Sequence, residues 1–307
     1  MQITGCAPQR PGMPGQRPPQ PPFVKVGKGL VPGLALCAAL IVGGRAGAGD
    51  DDAKAEEARR ARQLDKMKRS AAQYTLCVDG DRRHSFKFVE STVLRWTNPV
   101  AGAKDGTVFL WTRGGRPQAA LQLYTYDDDH FNHEWQSLAD GRLTAERAGE
   151  VTWNPIEPGI RFEVLPDFEA PAASAPARLR QMKSIAAKFS FVFTGFGQSP
   201  TAVELRLLPQ PLYRYEQSND PQRFDGALFA FVQGTDPQGL LVVEARGEGA
   251  KQRWHYGIAR MASGSVTARL GDREVFSVGK YDFSRDPRKT FLTLHQQPVP
   301  EKDDVEP

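Results

Sequence analysis

The sequence predicts an α+β protein: two tandem copies of a helix packed on an antiparallel sheet of about five strands, related by a pseudo-two-fold. Three observations predict it. A helical apolar stripe occurs twice, strand-like segments follow each stripe at nearly constant spacing, and an N-terminal leader stands apart in composition from everything after it.

The leader comes first. Residues 1–49 contain no Asp or Glu but carry Arg10, Arg17, Lys25, Lys28 and Arg45. The 13-residue apolar run Leu30–Val42 follows the two lysines, and Ala46-Gly47-Ala48 supplies small residues at a cleavage-site spacing. A basic region, a short apolar core and small residues together make a secretory signal peptide. The run is shorter than the roughly 20 residues a membrane span needs, so membrane contact is expected only in transit. Met13 offers an alternative start. Leu34-Ala35-Leu36-Cys37 has a lipobox outline, but Leu36 is too large for the position before the cysteine.

Removing the leader changes the charge balance. The chain has 40 Lys+Arg and 36 Asp+Glu, and loss of the five leader cations leaves 35 against 36. The remainder is near neutral, which argues against a nucleic-acid partner. Cys6 and Cys37 belong to the leader, so Cys77 is left alone in the apolar stretch Tyr74–Val78. A buried, inert thiol fits that setting.

Residues 50–62 are dense in charge and Ala and read as a solvated helical extension. The first copy spans 63–169. Its stripe of Leu64, Met67, Ala71 and Tyr74 meets Leu179, Met182, Ala186 and Phe189 at an offset of 115. Such spacing marks one face of a helix. Further on, Phe86 and Phe88 meet Leu205 and Leu207, and Arg95-Trp96 meets Arg214-Tyr215, at an offset of 119. Asp105-Gly106 and the apolar run after it meet Asp225-Gly226 at 120. Alternation in these segments suggests half-buried strands, and the Asp-Gly and Gly-Arg-Pro steps suggest turns. The Ala/Pro stretch 170–177 is the expected linker, 178–297 the second copy, and 298–307 a disordered acidic tail.

Residue types present in both halves are those a fold needs, so Arg95, Arg214, Asp105 and Asp225 read as structural. The tryptophans read as core. The most suggestive unmatched segment is Asp127-Asp128-Asp129-His130-Phe131-Asn132-His133-Glu134. Its residue types are those of metal sites, with Asp127, Asp129, His130 and His133 as the ligands to consider. An exposed hairpin tip explains it better, because a three-residue spacing on a strand puts the imidazoles on opposite faces. His130, His133, Glu134 and His255 are the candidates for ligand contact. No nucleophile–base grouping stands out, and no cofactor motif is present.

Leu205-Arg206-Leu207-Leu208-Pro209-Gln210-Pro211-Leu212-Tyr213-Arg214-Tyr215, Asp225–Pro237, Leu94–Val100 and Val108–Pro117 resemble segments of a family of uncharacterised exported proteins from planctomycete-type bacteria. The resemblance covers most of the chain after the leader and implies a bacterial, exported setting. It carries over no activity and no site. The expectation is therefore an exported, periplasmic or secreted protein that binds or scaffolds an unknown ligand or protein through the surface between its halves. The alternative is a hydrolase-like enzyme with its site in that cleft.

Overall fold

Eighteen strands and two helices make up the described residues of the computed structural model, which are 48–127, 130–196, 201–216, 223–248 and 251–298. The leader up to residue 47, Asp128, Asp129 and the tail beyond Pro298 lie outside them. In chain order the first half contains α1 (Ala48–Ala72), β1 (Tyr74–Val78), β2 (Asp81–Ser85), β3 (Lys87–Asn98), β4 (Ala103–Arg113) and β5 (Arg116–Thr125). It continues with β6 (His130–Ser137), β7 (Thr144–Arg147), β8 (Glu150–Trp153) and β9 (Phe162–Val164). The second half contains α2 (Ala175–Ala186), β10 (Phe189–Thr194), β11 (Ala202–Leu207), β12 (Tyr213–Glu216) and β13 (Arg223–Gln233). It closes with β14 (Asp236–Arg246), β15 (Arg253–Arg260), β16 (Ser265–Leu270), β17 (Arg273–Val278) and β18 (Phe291–Pro298).

The expected α+β class is overturned: the protein is mostly β. Nor are the halves two copies of one helix-on-sheet unit. The first half divides into a four-stranded sheet, β2-β1-β7-β8, and a five-stranded sheet, β18-β6-β5-β4-β3. The second is one curled sheet of nine strands in which β11 bridges β10 and β13. The halves also exchange strands. β9 leaves the first half to pair with β15, and the C-terminal β18 returns to pair with β6. The expectation of export rests on the leader, and nothing in this fold bears on secretion. Among the described residues no helix is long and apolar enough to cross a membrane.

The physical reason for the misread class is that alternation reveals which residues point inward, not what covers them. The curled sheet folds strands over strands, so Phe191 of β10 stacks on Phe231 of β13 with ring centroids 3.9 Å apart. Helix α2 fills one side of that sandwich through Met182, Ile185 and Ala186. Pro176 lies in its first turn, where the missing N–H costs nothing. Helix α1 buries Met67 and Ala71 against β4–β6 in the same manner.

The five-stranded sheet and the β13–β15 part of the curled sheet then pack face to face. Strands β4, β5 and β14 are consequently buried along almost their whole lengths. On β4, Phe109 and Trp111 face the α1 side while Val108 and Leu110 face the seam. On β13, Phe229 and Phe231 face α2 while Leu228, Ala230 and Val232 face the seam. The seam is a third apolar core, and it sets the position of every residue discussed below.

Two charged clusters tie helices to strands. Arg95 donates to Asp105 at 2.9 Å and to the Arg60 carbonyl at 2.6 Å. Asp225 accepts from Arg178 of α2 at 2.7 Å and from Arg214 at 2.9 Å. Both carboxylates are buried, as charge-assisted, multiply bonded groups can be. Cys77 is buried and free, and burial, with Glu146 nearby, pushes its thiol up.

Candidate functional site

The seam contains more polar side chains than a sheet-on-sheet core needs, and they fall into two groups. One is neutralised. Arg116 Nε donates to Glu244 Oε1 at 2.6 Å, Arg246 Nε donates to Glu244 Oε2 at 2.8 Å, and the Tyr215 hydroxyl donates to the same carboxylate. Burial opposes the Glu244 charge, but the two guanidinium groups outweigh it and hold the carboxyl below its ordinary value. Phe162 lies against Arg246, whose guanidinium carbon is 3.6 Å from the ring centroid. The charges of this group are paired within it.

The other group is not neutralised. Glu134 of β6 and Asp236 of β14 are both at least nine-tenths buried, and among the described residues neither forms an ion pair. Glu134 receives the Tyr124 hydroxyl and the Ser263 hydroxyl, each at 3.2 Å. Asp236 receives the Asn98 amide at 2.8 Å. Gln122 Nε2 lies 3.4 Å from a carboxylate oxygen of each. Every donor is a neutral amide or hydroxyl. Burial, with Asp236 nearby, therefore raises Glu134 to about 8, and burial raises Asp236 to about 7.

These groups open on a recess of about 320 Å³ at one end of the seam. Trp96, Tyr124 and Tyr126 form one aromatic wall, with ring centroids 5.7 and 5.6 Å apart in succession. Phe196 and Phe283 form another, 5.3 Å apart. Two buried atoms of the lining side chains, Trp96 Nε1 and Gln122 Oε1, have no hydrogen-bond partner. The Trp96 ring lies flat over Gly106, where a Cβ would overlap the indole. Glycine at 106 is what admits this ring.

Arg260 shapes the rim of the recess without entering it. Its guanidinium donates to the carbonyls of Ala262, Gly264 and Gly279 at 2.7, 2.6 and 2.9 Å and lies over Phe291. It thereby fixes the turn that presents Ser263. Burial lowers its pKa to about 10. A larger recess of about 630 Å³ lies between Ile156 and Phe291, but four of its charged side chains are paired with one another. Lys289 pairs with Asp282 and Arg288 with Asp286.

Of the residues singled out in the sequence, only Glu134 belongs to this site. The period-2 pleat of β6 sends Asn132 and Glu134 into the seam and Phe131, His133 and Trp135 toward α1. His133 is wholly buried between the Tyr74 hydroxyl, 2.8 Å from Nδ1, and the Ser70 hydroxyl, 3.2 Å from Nε2. The exposed-tip reading is thus corrected for both residues, since the turn ends before them. His130 is exposed, with its backbone N–H donating to Asp127. Asp129 lies outside the described residues. His255 sits in register with Glu244 on β15, its Nδ1 3.2 Å from the Arg253 carbonyl. Among the described residues no three His, Cys, Asp or Glu side chains gather into a metal-binding group. Asp236 was missed because Asp-Pro reads as a turn, and only the fold places it opposite Gln122.

Comparison with protein-family models, curated proteins and solved structures returned no match. The chemistry of the recess therefore has to speak for itself. At pH 7 Glu134 is mostly protonated and Asp236 is near its midpoint, so the pair can donate hydrogen bonds, exchange a proton or, once ionised, receive a cation.

Proposed function

We propose that the chain is a binding protein that holds a small molecule in the recess between the two seam sheets. The observation that carries this reading is the Glu134–Asp236 pair: two buried carboxyls, without an ion-pair partner among the described residues, beside two unpartnered polar atoms. Buried, uncompensated acids lower stability, and apolar residues of similar volume would pack the seam at least as well. Their presence at the mouth of a recess fits selection for a ligand.

A panel of small amines, polyols and carboxylates, screened by thermal shift on the purified chain, tests the reading. At least one class raises Tm in the wild type and fails to do so in Tyr126→Ala, at a half-exposed position of the aromatic wall. A panel with no hits, or hits indifferent to Tyr126→Ala, contradicts it.

A second reading draws on the same pair. A carboxyl raised to about 8 is a competent general acid at neutral pH, so hydrolysis at this recess is the enzymatic alternative. Turnover of a glycoside or ester panel, abolished in Glu134→Gln, favours it over simple binding.

A further inference from the structure

We infer that the recess takes a small organic ammonium ion, with its nitrogen between Glu134 and Asp236 and its organic part against Trp96, Tyr124 and Tyr126. This inference rests on the binding reading above and adds the ligand class.

Charge is the first ground. All the donors that reach the two carboxyls come from uncharged groups, namely Asn98, Gln122, Tyr124 and Ser263. The nearest cation, Arg260, spends three of its five N–H groups on backbone carbonyls and forms no hydrogen bond or ion pair with Glu134, and its charge only partly offsets the burial of that carboxyl. An ammonium group supplies what the pair lacks: several N–H donors and one positive charge in a dry site. Both carboxyls lie 3.4 Å from the single Gln122 nitrogen, so one nitrogen-bearing group already stands between them. Gln122 Oε1, buried and unpartnered, is a third acceptor at the same place.

Shape is the second ground. Aromatic faces attract cations, by about 2 kcal/mol or more where water is excluded, and here aromatic rings stand on two sides of the acids. The opposite wall already shows this behaviour, since Lys280 Nζ lies 5.3 Å from the Phe196 ring centroid. At about 320 Å³ the recess is at the small end for ligand sites, which favours an arylalkyl or alkyl amine over an oligomer. Anions are disfavoured by the carboxyls.

Proton balance follows from the groups that face Glu134: Asp236 on β14, Tyr124 on β5, Arg260 on β15 and His295 on β18. Tyr124 stays neutral, held well above its ordinary value by burial and Glu134. Burial and Arg285 lower His295, so it is neutral at pH 7 as well. The proton released when the ammonium enters thus comes from the carboxyl pair and passes to buffer. No other bond changes.

Calorimetric titration of the full chain at pH 7 with 2-phenylethylammonium and with the neutral 2-phenylethanol, in two buffers of different ionisation enthalpy, tests the inference. The ammonium binds at least about tenfold tighter than the alcohol, and its apparent enthalpy changes with buffer in the sense of proton release. Asp236→Asn and Glu134→Gln each weaken the ammonium more than the alcohol, narrowing the difference between the two probes. Tyr126→Ala weakens both and serves where a carboxyl variant fails to fold. An alcohol that binds as tightly as the ammonium overturns the cation inference while leaving the binding reading intact. Failure of both probes overturns it too, and an empty thermal-shift panel then separately removes the binding reading.

Discussion

Glu134 and Asp236 belong to different sheets, yet both lie 3.4 Å from one amide nitrogen, Gln122 Nε2. The contact crosses the seam, so ionisation of either carboxyl is felt by the packing of both halves.

The first prediction concerns pH. Both carboxyls are raised, to about 8 and about 7 from ordinary values of 4.5 and 3.8. The folded chain then holds protons that the unfolded chain releases. The stability they contribute is complete below the ordinary carboxyl range and is lost as pH rises through 7 and 8. The slope approaches about 1.4 kcal/mol per pH unit for each proton held. Urea titrations from pH 5 to 9 give a falling curve in the wild type and a flatter one in Glu134→Gln.

His133 works in the opposite direction. Burial, with Arg147 nearby, lowers it from 6.5 to about 3, so its contribution is present above pH 6.5 and is lost as pH falls toward 3. Neutral imidazole suits its position, since one ring nitrogen donates and the other accepts between Tyr74 and Ser70. His133→Gln is expected to remove this acid limb, leaving the carboxyl slope to dominate from pH 5 to 7 in the same titrations.

Gly106 is expected to tolerate no side chain. Gly106→Ala forces the Trp96 indole off the strand and costs about 1–3 kcal/mol, the usual range for overpacking. Ligand-induced Tm shifts vanish with it. Gly226→Ala displaces Tyr215 in the same way but lies in the neutralised group, so it lowers stability and leaves those shifts intact. The comparison separates damage to the fold from damage to the recess.

The buried pair Arg116–Glu244 gives a fourth prediction. Arg116→Met leaves Glu244 with Arg246 as its remaining guanidinium partner and lowers stability by less than the roughly 3–5 kcal/mol of a fully unpaired buried charge. Adding Glu244→Gln recovers part of that loss, because the carboxylate's burial no longer has to be offset. A double-mutant cycle in urea measures the coupling.

Strand exchange gives a fifth. β9 and β18 each complete a sheet of the other half, and the seam core is shared. Residues 63–169 and 178–297 should therefore not unfold independently. Scanning calorimetry should show a single transition, whereas two resolved transitions would mean separate domains.

Much of this fold was legible locally. The apolar stripe of Met67 and Ala71, and that of Met182 and Ala186, is recorded in helical spacing, and the pleat of Phe109 and Trp111 in alternation. What covers each face was not legible. A strand such as β5 is buried on both sides, and nothing local says that one side meets α1 and the other a second sheet. The site suffers from the same limit. Glu134 stood out because its neighbours are Asp and His, which turned out to be unrelated to its role. Asp236 acquires its chemistry only from Gln122 and Asn98, residues more than a hundred positions away in sequence.

The central claim is that the seam recess is where the ligand sits. Five tryptophans make the indole N–H region of a ¹H–¹⁵N spectrum simple enough to test it directly, with the Trp96 signal assigned through Trp96→Phe. Titration with 2-phenylethylammonium should move the Trp96 signal to saturation while the signals of the buried Trp111, Trp135, Trp153 and Trp254 stay in place. A saturating ligand that leaves Trp96 unmoved, or moves the others instead, would contradict the account.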